Sequence, residues 1–112
     1  MFQERFADLV ETNLKPHTVR LTALCKPGDV LSLRKWTGKP YRSKQKLLRL
    51  VICRNVRTIE IGEDYLAING PRYNQAFRDV FSRKDGFQNW HDLTEWFKRT
   101  HGLPFKGVLI EW

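Results

Sequence analysis

The chain is poor in the residues that staple small proteins or hold metals. It has two cysteines, three histidines and one methionine among 112 residues. Two cysteines are too few for a disulfide framework, and Cys25 and Cys53 lack the spacing of a metal site. Cys53 sits in an apolar run and reads as a small buried hydrophobe. His17, His91 and His101 have no partners at ligand spacing, so no metal cofactor is expected. A membrane helix needs about 18 consecutive apolar residues, and no run approaches that length. Glu4 and Asp8 interrupt the N-terminal apolar residues, which argues against a signal peptide. A Gly-rich phosphate loop and a G-x-S-x-G elbow are both missing. The expectation is a reduced, cytoplasmic protein that needs no cofactor and does not enter a membrane.

The most telling shortage is of acids in one half of the chain. Between Thr12 and Arg57 there are twelve Lys or Arg and one acid, Asp29, a net charge of +11. The other residues carry eight basic and eleven acidic groups, a net of −3. One electropositive face is implied. Such a face attracts polyanions, RNA or DNA first among them. The lesser alternatives are a solvated surface, and a face for an acidic protein or a small anion. What is plentiful is aromatic: seven Phe, four Trp and three Tyr. That suffices for one packed core, so residues 1–112 are read as a single domain.

Phe2, Phe6, Leu9 and Val10 follow helical spacing, and Asn13 is placed to end that helix. Pro16 then forbids further helix, and Thr18 to Thr22 reads as a strand. Lys26-Pro27-Gly28-Asp29 is turn chemistry, and Val30 to Trp36 is the next strand. A basic, polar loop runs from Thr37 to about Lys46. Leu47 to Val56 reads as one long strand, with Thr58 to Ile61 as an extension. Tyr65 to Ile68 is a short strand closed by Asn69-Gly70-Pro71.

Tyr73, Ala76, Phe77, Val80 and Phe81 make a helical apolar stripe that Asp85-Gly86 ends. Asn89 caps a second helix, buried through Trp90, Leu93, Trp96 and Phe97 and stopped by Gly102 and Pro104. Gly107 to Trp112 is a final strand. Strands in succession with helices grouped indicate an α+β fold, with a small, mostly antiparallel β-barrel and flanking helices.

Residues 15 to 20, KPHTVR, place a lysine, a histidine, a hydroxyl and an arginine within six positions. Lys15 is a nucleophile only when neutral, which requires burial or a neighbouring cation; Arg20 could be that cation. The plain alternative is a solvated loop lysine, with Thr18 serving a strand. His17 is expected to pack or to bond to its neighbours.

Residues 13–20 match the G-x-K-x-x-x-x-R signature of ASCH domains, with Asn13 in place of the glycine. KPGDVLSL at 26–33, the Trp36-Thr37-Gly38 break and DGFQNWHDLTEWF at 85–97 continue the likeness. The chain thus resembles short bacterial and phage ASCH proteins, small relatives of the PUA RNA-binding fold. The resemblance implies a β-barrel with a cleft where the signature Lys and Arg converge. It implies RNA, nucleotide or nucleoside binding. It also implies a possible amidohydrolase that deacetylates N4-acetylcytidine, or a ribonuclease.

In the amidohydrolases a Lys, a Thr and a Glu form the site. Carried over, these fall on Lys15, Thr18 and Asp85. An Asp for a Glu shortens the side chain by one C–C bond, about 1.5 Å, which puts its reach in question. Asp85 also has the ordinary reading of a turn or cap residue before Gly86.

The basic loop is a second candidate site. Arg34, Lys35, Lys39, Arg42 and Lys44 could hold phosphates, with Arg20. Trp36 and Tyr41 could stack on unpaired bases, although Trp36 could equally be core. A monomer is the default expectation.

Overall fold

The computed structural model describes residues 2–12, 14–23, 25–36 and 44–112, with main chain alone at Glu4 and Trp36. Its order is α1 (Glu4–Glu11), β1 (His17–Arg20), β2 (Val30–Trp36), β3 (Gln45–Ile52), β4 (Asn55–Ile61), β5 (Leu66–Ile68), α2 (Gln75–Lys84), α3 (Trp90–Thr100) and β6 (Phe105–Glu111). The fold is α+β, and the strand ladders are antiparallel.

The sheets depart from the expected barrel. β1, β6, β4 and β5 form one four-stranded sheet in that order, while β2 and β3 pair with each other. A closed barrel needs a continuous ladder, and the described residues show no ladder joining these two sheets. The reason lies in the expected long strand at Leu47 to Val56, which is two strands. Cys53 donates its N–H to Asp29 O at 2.8 Å, on the hairpin side, and Arg54 donates to Glu111 O at 2.8 Å, on the sheet side. The chain therefore changes partners between residues 53 and 54. Such a corner lets one chain serve two sheets. Cys53 is buried at this corner, and both cysteines are free thiols.

The core gathers α1 (Phe6, Ala7, Val10), α3 (Leu93, Phe97) and one face of the large sheet. Period-two alternation puts Val19, Ile59, Ile61, Leu66, Ile68, Phe105 and Leu109 on that face. The cap expected at Asn89 is present: its Oδ1 accepts from Asp92 N at 2.9 Å. Asn74 caps α2 in the same way, through Phe77 N at 3.0 Å. The α2 stripe is less buried than its spacing suggests. Phe81 is buried, but Phe77 and Val80 are 38% and 42% exposed, and Ala76 is exposed. Asn13 as a cap and the loop at 37–43 lie outside the described residues.

α2 ends in a Schellman motif. Phe87 N donates to Ser82 O at 2.9 Å and Gly86 N to Arg83 O at 3.1 Å, around a Gly86 φ of +96°. A Cβ on Gly86 would stand 2.6 Å from the Phe6 ring. Gly86 thus meets two demands, a left-handed backbone and contact with α1. Gly86→Ala is expected to destabilise the protein by roughly 2–4 kcal/mol, as strain and overpacking combine. Urea unfolding checks this, and a loss below about 0.5 kcal/mol would contradict it.

Candidate functional site

Lys15 follows α1 and precedes β1. Its backbone N–H donates to Leu9 O at 2.9 Å, which folds the chain back beside the helix. Pro16 keeps it extended. The side chain then runs inward and is only 3% exposed. Its ammonium meets the C-terminus of α2, where Nζ donates to Asp85 Oδ1 at 2.6 Å and to Asp85 O at 2.8 Å. Asp85 is also 3% exposed. One cation therefore pairs with a carboxylate and satisfies a terminal carbonyl of α2, where the helix dipole favours positive charge. The shorter Asp side chain does reach the lysine. Asp85 is at once the C-cap residue of α2 and Lys15's counter-ion.

Lys15, Thr18, Arg20 and Asp85 line one cavity of about 100 Å³. Phe2, Phe6, Phe87, Trp96 and Phe97 supply its aromatic walls. Phe6 packs edge-on against Phe87 at 5.3 Å and lies 5.1 Å from Lys15 Nζ, a cation–π contact. The Arg20 guanidinium lies 5.1 Å from the Phe2 ring. The three residues Asp85-Gly86-Phe87 thus divide the work: a carboxylate, a gap for Phe6, and a wall.

Burial lowers the Lys15 pKa from its ordinary 10.5; Asp85 opposes that and the Arg20 charge adds to it. The lysine gives up its proton more readily than one in water. Burial would raise the Asp85 carboxyl, but the Lys15 charge and His17 outweigh it and hold Asp85 below 3.8. The two shifts are compatible: the carboxylate stays ionised while the ammonium is made labile. Burial likewise lowers Arg20.

His17 was expected only to pack or bond to its neighbours. It does pack, stacking on Phe81 with centroids 4.7 Å apart. Its Nε2 also lies 3.3 Å from Asp85 Oδ1. Helical spacing alone does not separate a core ring from a pocket ring, so Phe2, Phe6, Trp96 and Phe97 read as core in the sequence. The legible signal for Phe87 was its place in DGF.

The basic candidates divide. Arg34 and Lys35 lie on β2 and are half-buried. Phe2 joins them to the pocket: its N–H donates to Arg34 O at 2.9 Å, and it bridges Lys35 in parallel register. Lys44 is exposed just ahead of β3. Lys39, Tyr41 and Arg42 lie outside the described residues, and Trp36 is described only as the end of β2. Among the described residues no group of three or more His, Cys, Asp or Glu could hold a metal, and no helix is long and apolar enough to cross a membrane.

The chain has no match among family models, curated proteins or solved structures. The ASCH likeness therefore rests on the motif residues themselves.

Removing one member of a buried ion pair strands the other. Lys15→Met alone is expected to cost roughly 3–5 kcal/mol, while Lys15→Met with Asp85→Leu recovers most of that loss. Equal losses in the single and double variants would show that the pair is not a unit. The folded Asp85 carboxyl lies below its ordinary 3.8. Its contribution is therefore full above that pH and fades as pH falls through the folded value. Wild type should therefore lose stability relative to the double variant over that acid range, as read by denaturant titration at several pH values.

Proposed function

We propose that this is an ASCH-like protein that takes part of a nucleotide into the Lys15 pocket and hydrolyses an amide there. N4-acetylcytidine is the substrate that the resemblance implies. One observation carries the reading: the buried Lys15 ammonium is held between the carboxylate and the carbonyl of Asp85, in a cavity shared with Thr18 and Arg20. As a cross-link alone such a pair adds little, since apolar residues of equal volume often do as well or better. Lining a cavity, with both pKa values displaced, it is suited to proton transfer.

The steps follow from those positions. Lys15 gives up a proton to solvent, and the neutral amine, oriented by the ionised Asp85 carboxylate, takes a proton from a water whose oxygen adds to the acetyl carbonyl. Thr18 or a backbone N–H steadies the oxyanion. The amide C–N bond breaks as the Lys15 ammonium returns that proton to the leaving nitrogen, and the acetic acid formed leaves as acetate with its own proton passing to solvent. Arg20 lowers the lysine's pKa and can hold a carbonyl or phosphate oxygen. At about 100 Å³ the cavity is well below the roughly 300 Å³ of a site for a drug-sized ligand. That is room for an acyl group or one ring, and the sugar and phosphates stay outside it.

Purified wild-type protein is expected to release acetate from N4-acetylcytidine, and Lys15→Ala to lose roughly 100-fold or more of the rate. Absence of wild-type turnover between about pH 6 and 9 ends the hydrolase reading.

A second reading, RNA binding without hydrolysis, is favoured by the one-sided charge and by Phe2, which ties the pocket to β2. It predicts salt-sensitive affinity for single-stranded RNA. Arg20→Gln should weaken binding and flatten the slope of log affinity against log salt by about 1. Filter binding at several salt concentrations reads this out; an unchanged slope and affinity would remove Arg20 from the interface.

A further inference from the structure

Asp85 Oδ1 is approached by two side chains. Lys15 Nζ lies 2.6 Å away and His17 Nε2 3.3 Å away. His17 is buried, and its Nε2 makes no aligned hydrogen bond among the described residues. The ring does not line the Lys15 cavity. It lines a second cavity of about 280 Å³ between α2 and the large sheet, the one left open by the exposed Phe77 and Val80. Asp85 is absent from the lining of that second cavity. Lys15 and His17 therefore meet one oxygen while belonging to different cavities. Phe81 fixes the imidazole plane by stacking, with 15° between the rings.

We propose that His17 is a positioning residue for the Lys15–Asp85 pair, sharing Oδ1 with the lysine and so setting how tightly Asp85 holds the Lys15 proton. This rests on the reading of Lys15 as the working amine. An imidazole N–H edge 3.3 Å from Oδ1 stabilises the carboxylate charge even without an aligned hydrogen bond, and a carboxylate stabilised in that way attracts the ammonium less. Proton release from Lys15 thereby depends on the presence of His17 beside Oδ1.

The other charged or titratable groups around this ring are few. From the end of α2 come Lys84 and Asp85. Glu111 of β6 lies opposite His17 in register, and Arg57 of β4 pairs with Glu111 at 2.7 Å. Tyr73, ahead of α2, shares the second cavity. Lys15 and Arg20 belong to the other side. Of these, Asp85 is the one whose oxygen joins the imidazole to the lysine.

The test reads the amine directly. Acetylation of Lys15 by a small acetylating reagent is followed by mass spectrometry across pH in wild type, His17→Phe and His17→Gln. The phenylalanine keeps the stack on Phe81 and removes the donor; the glutamine keeps a donor but does not titrate. His17→Phe is expected to acetylate roughly three- to tenfold more slowly at neutral pH, because Asp85 then holds the ammonium alone. His17→Gln should recover most of the rate.

The Lys15 Nζ NMR shift gives a second measure, since at one fixed pH it should differ between wild type and His17→Phe. Identical profiles in all three proteins, or an Nζ shift indifferent to His17, overturn the proposal. The linkage without acetate release from N4-acetylcytidine supports the proposal and defeats the hydrolase reading. Acetate release without the linkage does the reverse.

Discussion

The contact between the Lys15 ammonium and Asp85 joins the two ends of the site. It ties the segment between α1 and β1 to the C-terminus of α2, seventy residues on. Both groups are almost fully buried, so neither tolerates the loss of the other. The pocket walls are arranged around this contact. Phe6 lies over the ammonium, Phe87 follows the carboxylate by two residues, and Gly86 between them leaves room for Phe6. A change in any one of these positions reaches the others.

That arrangement also explains how Asp85 can have an ordinary role and an unusual one. Its backbone closes α2 in a Schellman motif, which any short polar residue could do. Its side chain is turned inward, where an unpaired carboxylate would be costly. Lys15 supplies the charge, and its second bond to the Asp85 carbonyl answers the end of the helix dipole. Burial then acts on each partner differently. The carboxylate is stabilised by the cation, while the ammonium is left more ready to lose its proton.

Much of the fold was legible because local chemistry agreed with tertiary context. Asn89 caps α3, Gly28 turns the chain at a φ of +96°, and the apolar spacing of Phe6 and Val10 marks the buried side of α1. The long strand at Leu47 to Val56 was misread because a continuous apolar run does not show where the chain changes partners. Cys53 and Arg54 take bonds from opposite sheets, a fact of register and not of composition. The α2 stripe was overread for a related reason. Spacing places Phe77 and Val80 on one face of the helix, but only the position of the sheet decides how much of that face is covered.

The sequence by itself determined the charge asymmetry, the element types, the helix caps and the residues of the signature, since these follow from residue chemistry and short-range spacing. It named Lys15, Thr18, Arg20 and Asp85 without their distances. Tertiary structure alone decided that they share a cavity, that Asp85 reaches the lysine, and that His17 meets the same oxygen from another cavity. Those facts depend on where α2 ends relative to β1. That placement is set by packing among Phe6, Phe81 and Phe87, whose long-range contacts no local pattern encodes.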